Sequence, residues 1–430
     1  MDFAAPLTER RYLRPFILVT SLFFLWAIGV NLNDILIPHM KKAFGLTDFQ
    51  SSFIQSAFFG GYFLAAWPAG ALMRRIGYKR GILIGLLTCA TGAFLFIPAS
   101  SVRVYGFFLF ALFVMACGQS FLEVASNPYV TTLGPRESSE RRLNFAQSFN
   151  SVGAVITPFL GAAFILSGIE HTPAQLAAMT PAQLLAYRAS EANMVRVPYI
   201  VITAIFLCFA LLIYFSSLPE IHETDEGAQT AESQPGAAGL WSHAHLVKGV
   251  AAQFFYVGAQ VGVASFIIRF AEHTLPGTHE KVAAHYLQFH LVGFMIGRFA
   301  GSAVMKKIAP ARLLAVFAAC SLLCLVVVLL ATGYAPVWAV ALVGFFHSIM
   351  FPTIFALSIK NLGPYTKLGS SLLVMSIIGG AIIPALMGKI SDLSNIQSAF
   401  VVPLVCHAYI LYFALRGYRP ATIPVVAEAV

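Results

Sequence analysis

The chain has 430 residues and a net charge of +9; 58% of the residues are hydrophobic and only 10% are charged. Soluble domains carry about 25% charged residues, so the mean hydropathy of +0.79 excludes a soluble or a disordered protein. The basic residues sit in short segments between apolar runs, which is the pattern of a helical membrane protein and not of a nucleic-acid binder.

A helix needs roughly 20 apolar residues to cross the hydrocarbon core, and the apolar runs predict twelve such spans. The first run is too long, and lacks the small-residue cleavage site, for a removable signal peptide. Span 1 covers 15–39 and carries NLND, with Asn31 and Asp34 three residues apart. Spans 2 (50–73) and 3 (80–98) flank the basic segment 74–80. Span 4 (104–132) holds Glu123 and Asn127, and span 5 (143–168) holds Gln147 and Asn150. An outer loop at 169–195 repeats TPAQL, and each Thr-Pro suits an N-cap and first helical position, predicting two short surface helices. Span 6 (196–218) closes the first half.

The polar stretch 220–245 reads as a linker. Span 7 (247–271) offers Gln253, Tyr256 and Gln260 at helical spacing, and Arg269 near its outer end, where it can snorkel. Span 8 (285–305) carries His290 and Arg298. Spans 9 (311–332), 10 (336–359), 11 (368–388) and 12 (398–416) follow, with His347 in span 10 and His407 in span 12. These histidines lack metal-ligand spacing and are expected to make interhelical hydrogen bonds. The six cysteines fall in apolar runs without a CxxC pair, so neither a disulfide framework nor a metal site is expected.

The side holding both termini carries 18 of the 27 Lys and Arg, and the other side 7. That bias places both termini and the linker in the cytoplasm. The resulting organisation is a cytoplasmic N-terminus (1–14), a six-helix bundle (15–219), a linker (220–245), a second bundle (246–417) and a cytoplasmic tail (418–430). The halves repeat each other. ALMRRIGYKR (71–80) aligns without gaps to AVMKKIAPAR (303–312), and SVGAVITPFLGA (151–162) to IIGGAIIPALMG (377–388), pairing Gly153 with Gly379. The fold class is therefore all-α, with twelve transmembrane helices in two six-helix pseudo-repeats, the plan of a transporter that alternates access to a central site.

Ionisable groups at bilayer depth mark a pathway or proton relay by default. Asp34 and Glu123 have no Lys or Arg three or four residues away within their spans, so each can exchange a proton rather than sit in a fixed ion pair. Asn31 shares a helix face with Asp34, and Asn127 shares one with Glu123. With Gln147, Asn150, Gln253, Tyr256 and Gln260, they supply the amides, carboxyls and aromatic faces that suit a neutral polyhydroxylated molecule. Arg298 reads as a gating or structural residue. Catalytic motifs such as HExxH, GxSxG or a P-loop do not occur, so no enzyme is expected.

The segments NLNDILIP (31–38), FLEVASNPYVTTLGP (121–135), FAQSFNSVGA (145–154), QFFYVGAQ (253–260), IGRFAGS (296–302) and FPTIFALSIKNLGPYTKLGSS (351–371) resemble the fucose:proton symporter family of the major facilitator superfamily. The resemblance implies proton-coupled import of a sugar, with L-fucose foremost and glucose, galactose or another hexose as alternatives; sodium coupling, passive facilitation and, more distantly, a sugar sensor are the competing readings. It implies proton coupling at Asp34, and sugar contact and titration at Glu123. Gln147 and Asn150 match polar cavity positions. It further implies no cofactor beyond the proton, a monomer, and a bacterial inner-membrane location. Val30, Ala264 and Phe351 depart from the family pattern, which has Asn, a bulky aromatic and Tyr there; these changes reshape the pocket.

Overall fold

The computed structural model describes residues 5–164, 175, 178–219 and 237–419, and among them every regular element is helical. Helix α1 (Leu13–Phe44) is span 1. Helix α2 (Asp48–Val102) contains spans 2 and 3 and starts at a capping box, in which Thr47 Oγ1 accepts from the Gln50 amide and Gln50 Oε1 from the Thr47 amide. Its two legs part at Gly77, whose φ of 81° and ψ of 175° only glycine adopts without strain. The basic segment 74–80 therefore holds no open loop, only this one-residue break.

Span 4 is α3 (Tyr105–Thr132), span 5 is α4 (Ser139–Phe164) and span 6 is α6 (Arg196–Phe215), preceded by the outer-loop helix α5 (Pro181–Met194). Thr180 caps α5 and Pro181 opens it, as the second TPAQL predicts. The first TPAQL lies largely outside the described residues, as do 220–236 of the linker and the tail beyond 419. In the second half, α7 (Ala244–Thr274), α8 (Glu280–Val304) and α9 (Pro310–Leu330) are spans 7 to 9. Span 10 is two helices, α10 (Tyr334–His347) and α11 (Met350–Ile359), where a single run is expected. The break arises because Pro352 has no N–H for the Ser348 carbonyl one turn before it. Span 11 is likewise divided, into α12 (Thr366–Met375), a tight 3-10 turn (Ser376–Ile378) and α13 (Gly379–Leu393). Helix α14 (Val401–Tyr412) forms span 12.

Among the described residues nine helical stretches are long and apolar enough to cross a membrane, and one of them, Phe53–Val102, holds two spans. The helices of spans 5 and 8 complete the twelve. They are the more polar ones, and they carry Gln147, Asn150 and Arg298.

The pseudo-repeat is visible in packing. Span 5 lies on span 1, and span 11 on span 7. At both contacts the aligned glycines face a backbone carbonyl. A Cβ on Gly153 would stand 2.9 Å from the Phe24 oxygen, and one on Gly379 would clash with the Phe254 oxygen. Matched glycines thus permit the same close approach twice. Between the halves, span 5 packs on spans 8 and 10, and span 11 on spans 2 and 4.

Candidate functional site

Among the described residues, polar contacts between the halves gather toward the end bearing the basic segments. Lys360 Nζ pairs with the buried Glu140 Oε1 at 2.7 Å, joining span 10 to the start of span 5. Asn144 Nδ2 donates to Thr353 Oγ1 at 3.0 Å, and Ser302 Oγ to the Arg141 carbonyl at 3.4 Å. The Lys367 ammonium lies 4.7 Å from the Tyr78 ring centroid. Beneath them Arg142 is fully buried and bonds only to oxygens without formal charge, among them the carbonyls of Val130, Thr131 and Leu7. Burial pulls its guanidinium down to about 10, still charged at neutral pH. It ties the span 4–5 turn to the N-terminal segment, which Arg141 and Ser138 also hold through the carbonyls of Ala5 and Pro6.

Deeper in the bundle, one hydrogen-bonded chain crosses between the halves. Glu123 on α3 is buried beside Tyr62 of α2 and Asn127, one helical turn further along α3. Asn127 Oδ1 accepts from Gln147 Nε2 at 2.9 Å. Arg298 Nη1 reaches from α8 to the Gln147 carbonyl, to Gln147 Oε1 at 3.1 Å and to Asn150 Oδ1 at 3.5 Å. Asn150 Nδ2 donates in turn to the Phe23 carbonyl of α1 at 3.3 Å. The guanidinium carbon stands 4.5 Å from the Phe294 ring centroid, and Nε donates to the Ser348 carbonyl at 3.0 Å. Tyr256 on α7 donates to the adjacent His347 carbonyl at 3.0 Å, and its ring faces Phe351.

Of the residues expected at the site, Glu123, Asn127, Gln147, Asn150 and Tyr256 thus belong to one network, and Arg298 lies at its centre. Gln253 is fully buried one turn before Tyr256, with neither amide atom hydrogen-bonded within the described protein. Gln260 is part-buried on the same helix. Asn31 is part-buried, and its amide donates to the Ala27 carbonyl of its own helix at 2.7 Å. Asp34 lies on α1, but its side chain is outside the described residues. Arg269 rests on the Phe266 ring at 4.4 Å. His290, His347 and His407 make interhelical or intrahelical hydrogen bonds, as expected.

Two buried polar residues escape sequence reasoning. Tyr62 is one aromatic among many in an apolar run, and no spacing singles it out. Gln119 is fully buried with both amide atoms unpaired among the described residues, and it packs against Gly29 of α1. It stands four residues before Glu123, so the helical stripe 119–123–127 was readable.

Residues 19–376 match the family described as the Major Facilitator Superfamily. The chain is 44% identical to the L-fucose-proton symporter of Escherichia coli (strain K12), covering 96% of this chain and 95% of that protein. It is 43% identical to the glucose/galactose transporter of Brucella abortus biovar 1 (strain 9-941), covering 93% of each. A solved Major Facilitator Superfamily transporter, FucP in the outward conformation, superimposes with a TM-score of 0.87 at 44% identity, covering 94% of this chain and 99% of that one.

Proposed function

We propose that this chain, which belongs to the Major Facilitator Superfamily and within it to the fucose:proton symporter family, imports a neutral monosaccharide together with a proton. The observation that carries the reading is the Glu123–Asn127–Gln147–Arg298 chain. It places a carboxyl, two amides and a guanidinium at the junction of the halves, with Tyr256 and Phe351 alongside. Amides and carboxyls pair with sugar hydroxyls, and the aromatic rings cover the C–H face of the ring.

The units that rock are 15–219 and 246–417, joined by the linker 220–245. The latch formed by Glu140–Lys360, Asn144–Thr353 and Ser302 holds the halves together at the cytoplasmic end. Turning inward requires those bonds, and the Arg298 bridge to span 5, to part. Asp34 and Glu123 carry the coupling proton. L-Fucose is the first substrate to test, since Glu123, Gln147 and Asn150 match the family's sugar positions. The relative named for glucose and galactose, with Phe351 at the pocket, makes a hexose the second.

The test is a panel of labelled L-fucose, D-galactose and D-glucose offered to proteoliposomes with an imposed pH gradient, acid outside, as the only driving force. One of these sugars should accumulate, and collapsing the gradient should release it. Uptake that merely equilibrates and ignores the gradient would mark a passive facilitator. The charge bias also predicts topology. Tags at residue 230 and after residue 430 should report the cytoplasm, and a tag near 185 the outside; residues 230 and 185 on one side would refute the span count.

A further inference from the structure

We infer that the buried His347–His407 pair is a positioning device for the sugar site, fixing the break in span 10 to which Tyr256 and Arg298 are anchored. The inference rests on the sugar-site reading above. Three facts on the geometry carry it.

The first is the break itself. Pro352 removes the amide that would serve the Ser348 carbonyl, and the Arg298 Nε–H takes that place at 3.0 Å. One residue earlier, the Tyr256 hydroxyl donates to the His347 carbonyl at 3.0 Å and meets the backbone amide of Phe351 on its other side. A side chain inserted between a carbonyl and the amide four residues on is a defined cause of a helix kink. The break thus offers two adjacent carbonyls, and each holds one polar side chain of the site.

The second is the tautomer of the pair. His407 Nδ1 lies 2.7 Å from the Pro403 carbonyl, an acceptor only, so Nδ1 carries the proton and Nε2 of the neutral ring accepts. His347 Nε2, 2.9 Å from that nitrogen, must then donate, and its own Nδ1 is left bare. That atom is buried without a hydrogen-bond partner among the described residues, as this assignment requires. The rings lie within 7° of parallel, with centroids 4.9 Å apart.

The third is location. His347 is the last residue of α10, so its ring and its carbonyl are fixed together at the break. His407 fastens it to span 12, and the His290 ring of span 8 lies 6.0 Å away. The His347 ring also meets the Tyr256 ring edge-on, with centroids 5.9 Å apart, so the pair reaches the site through that ring and through the two carbonyls.

The experiment is a double-mutant cycle on sugar affinity, measured in purified protein with L-fucose and D-galactose as probes. Tyr256→Phe and Arg298→Lys are made first, and each should weaken binding. His407→Leu leaves the His347 donor unpaired, and affinity should fall roughly tenfold while the protein stays monodisperse. His407→Gln keeps an acceptor, and most of the affinity should return. In the Tyr256→Phe background His407→Leu should cost clearly less than it costs the unmodified protein, because the bond from the Tyr256 hydroxyl to the break is already gone. Fully additive losses, or an unchanged affinity in His407→Leu, would overturn the positioning role. Undiminished affinity in both Tyr256→Phe and Arg298→Lys would instead overturn the placement of the sugar site. Should His407→Leu aggregate, His407→Asn, whose shorter amide stops short of His347, replaces it in the same cycle.

Discussion

Asp34→Asn is expected to abolish accumulation of sugar driven by a pH gradient while leaving exchange of labelled for unlabelled sugar in place. The span 1 helix carries Asp34 after a long apolar run, with no basic residue a turn away to fix it as an ion pair. A symporter must reorient when proton and sugar are both bound, or when both are absent. Carrying a bare carboxylate through the closed intermediate costs at least about 2.5 kcal/mol on insertion scales, which holds the empty, deprotonated carrier back until a proton arrives. Asparagine stands in for the permanently protonated form, so binding and exchange continue but the gradient loses its handle. Asp34→Glu titrates but shifts the carboxyl by a methylene, and should keep part of the coupling. Uptake against a concentration gradient and counterflow, run in the same proteoliposomes, separate the two behaviours. If Asp34→Asn still concentrates sugar in response to external acid, the coupling proton rides elsewhere, and Glu123 is the first alternative.

The helical plan was legible because membrane physics leaves few choices. Twenty apolar residues make a span, Lys and Arg sort to one side, and a repeated Gly at 153 and 379 signals a repeated helix contact. The capped outer helix at Thr180 was equally readable, since Thr-Pro and a Gln three residues after the cap are local signals. What stayed hidden depends on partners far apart in sequence. Nothing near Arg298 says that it bonds to Gln147, 151 residues earlier. The break in span 10 had a local cause in Pro352, yet its consequence, two carbonyls held by spans 7 and 8, is a tertiary fact. Tyr62 likewise becomes a site residue only because span 2 faces span 4 at Glu123. Polar residues at helical spacing marked out a candidate site; which of them meet could be read only from the packing.

Glu123→Ala is expected to weaken sugar binding roughly 10- to 100-fold, and Glu123→Gln several-fold less. The difference follows from what the carboxyl holds in place. It sits against the Tyr62 hydroxyl and the Asn127 amide, and through Asn127 it steadies Gln147, whose Nε2 bonds Asn127 at 2.9 Å and whose Oε1 meets Arg298 at 3.1 Å. Alanine strips the Tyr62 hydroxyl of the carboxylate it faces, and a buried group left unpaired costs about 1–3 kcal/mol. It also opens a gap on the side of span 4 that faces span 2. Glutamine keeps the length of the side chain and an acceptor oxygen for Tyr62, so the network and the shape of the pocket persist. It cannot exchange a proton, however, and any contribution of Glu123 to the pH dependence of binding disappears with it. Affinity measured across pH for the wild type and both variants resolves these parts. The glutamine variant should bind with a flattened pH profile, and the alanine variant should bind weakly at every pH. Equal and undiminished affinity in the two variants would remove Glu123 from the sugar site and leave the Gln147–Arg298 bridge as a structural contact between the halves.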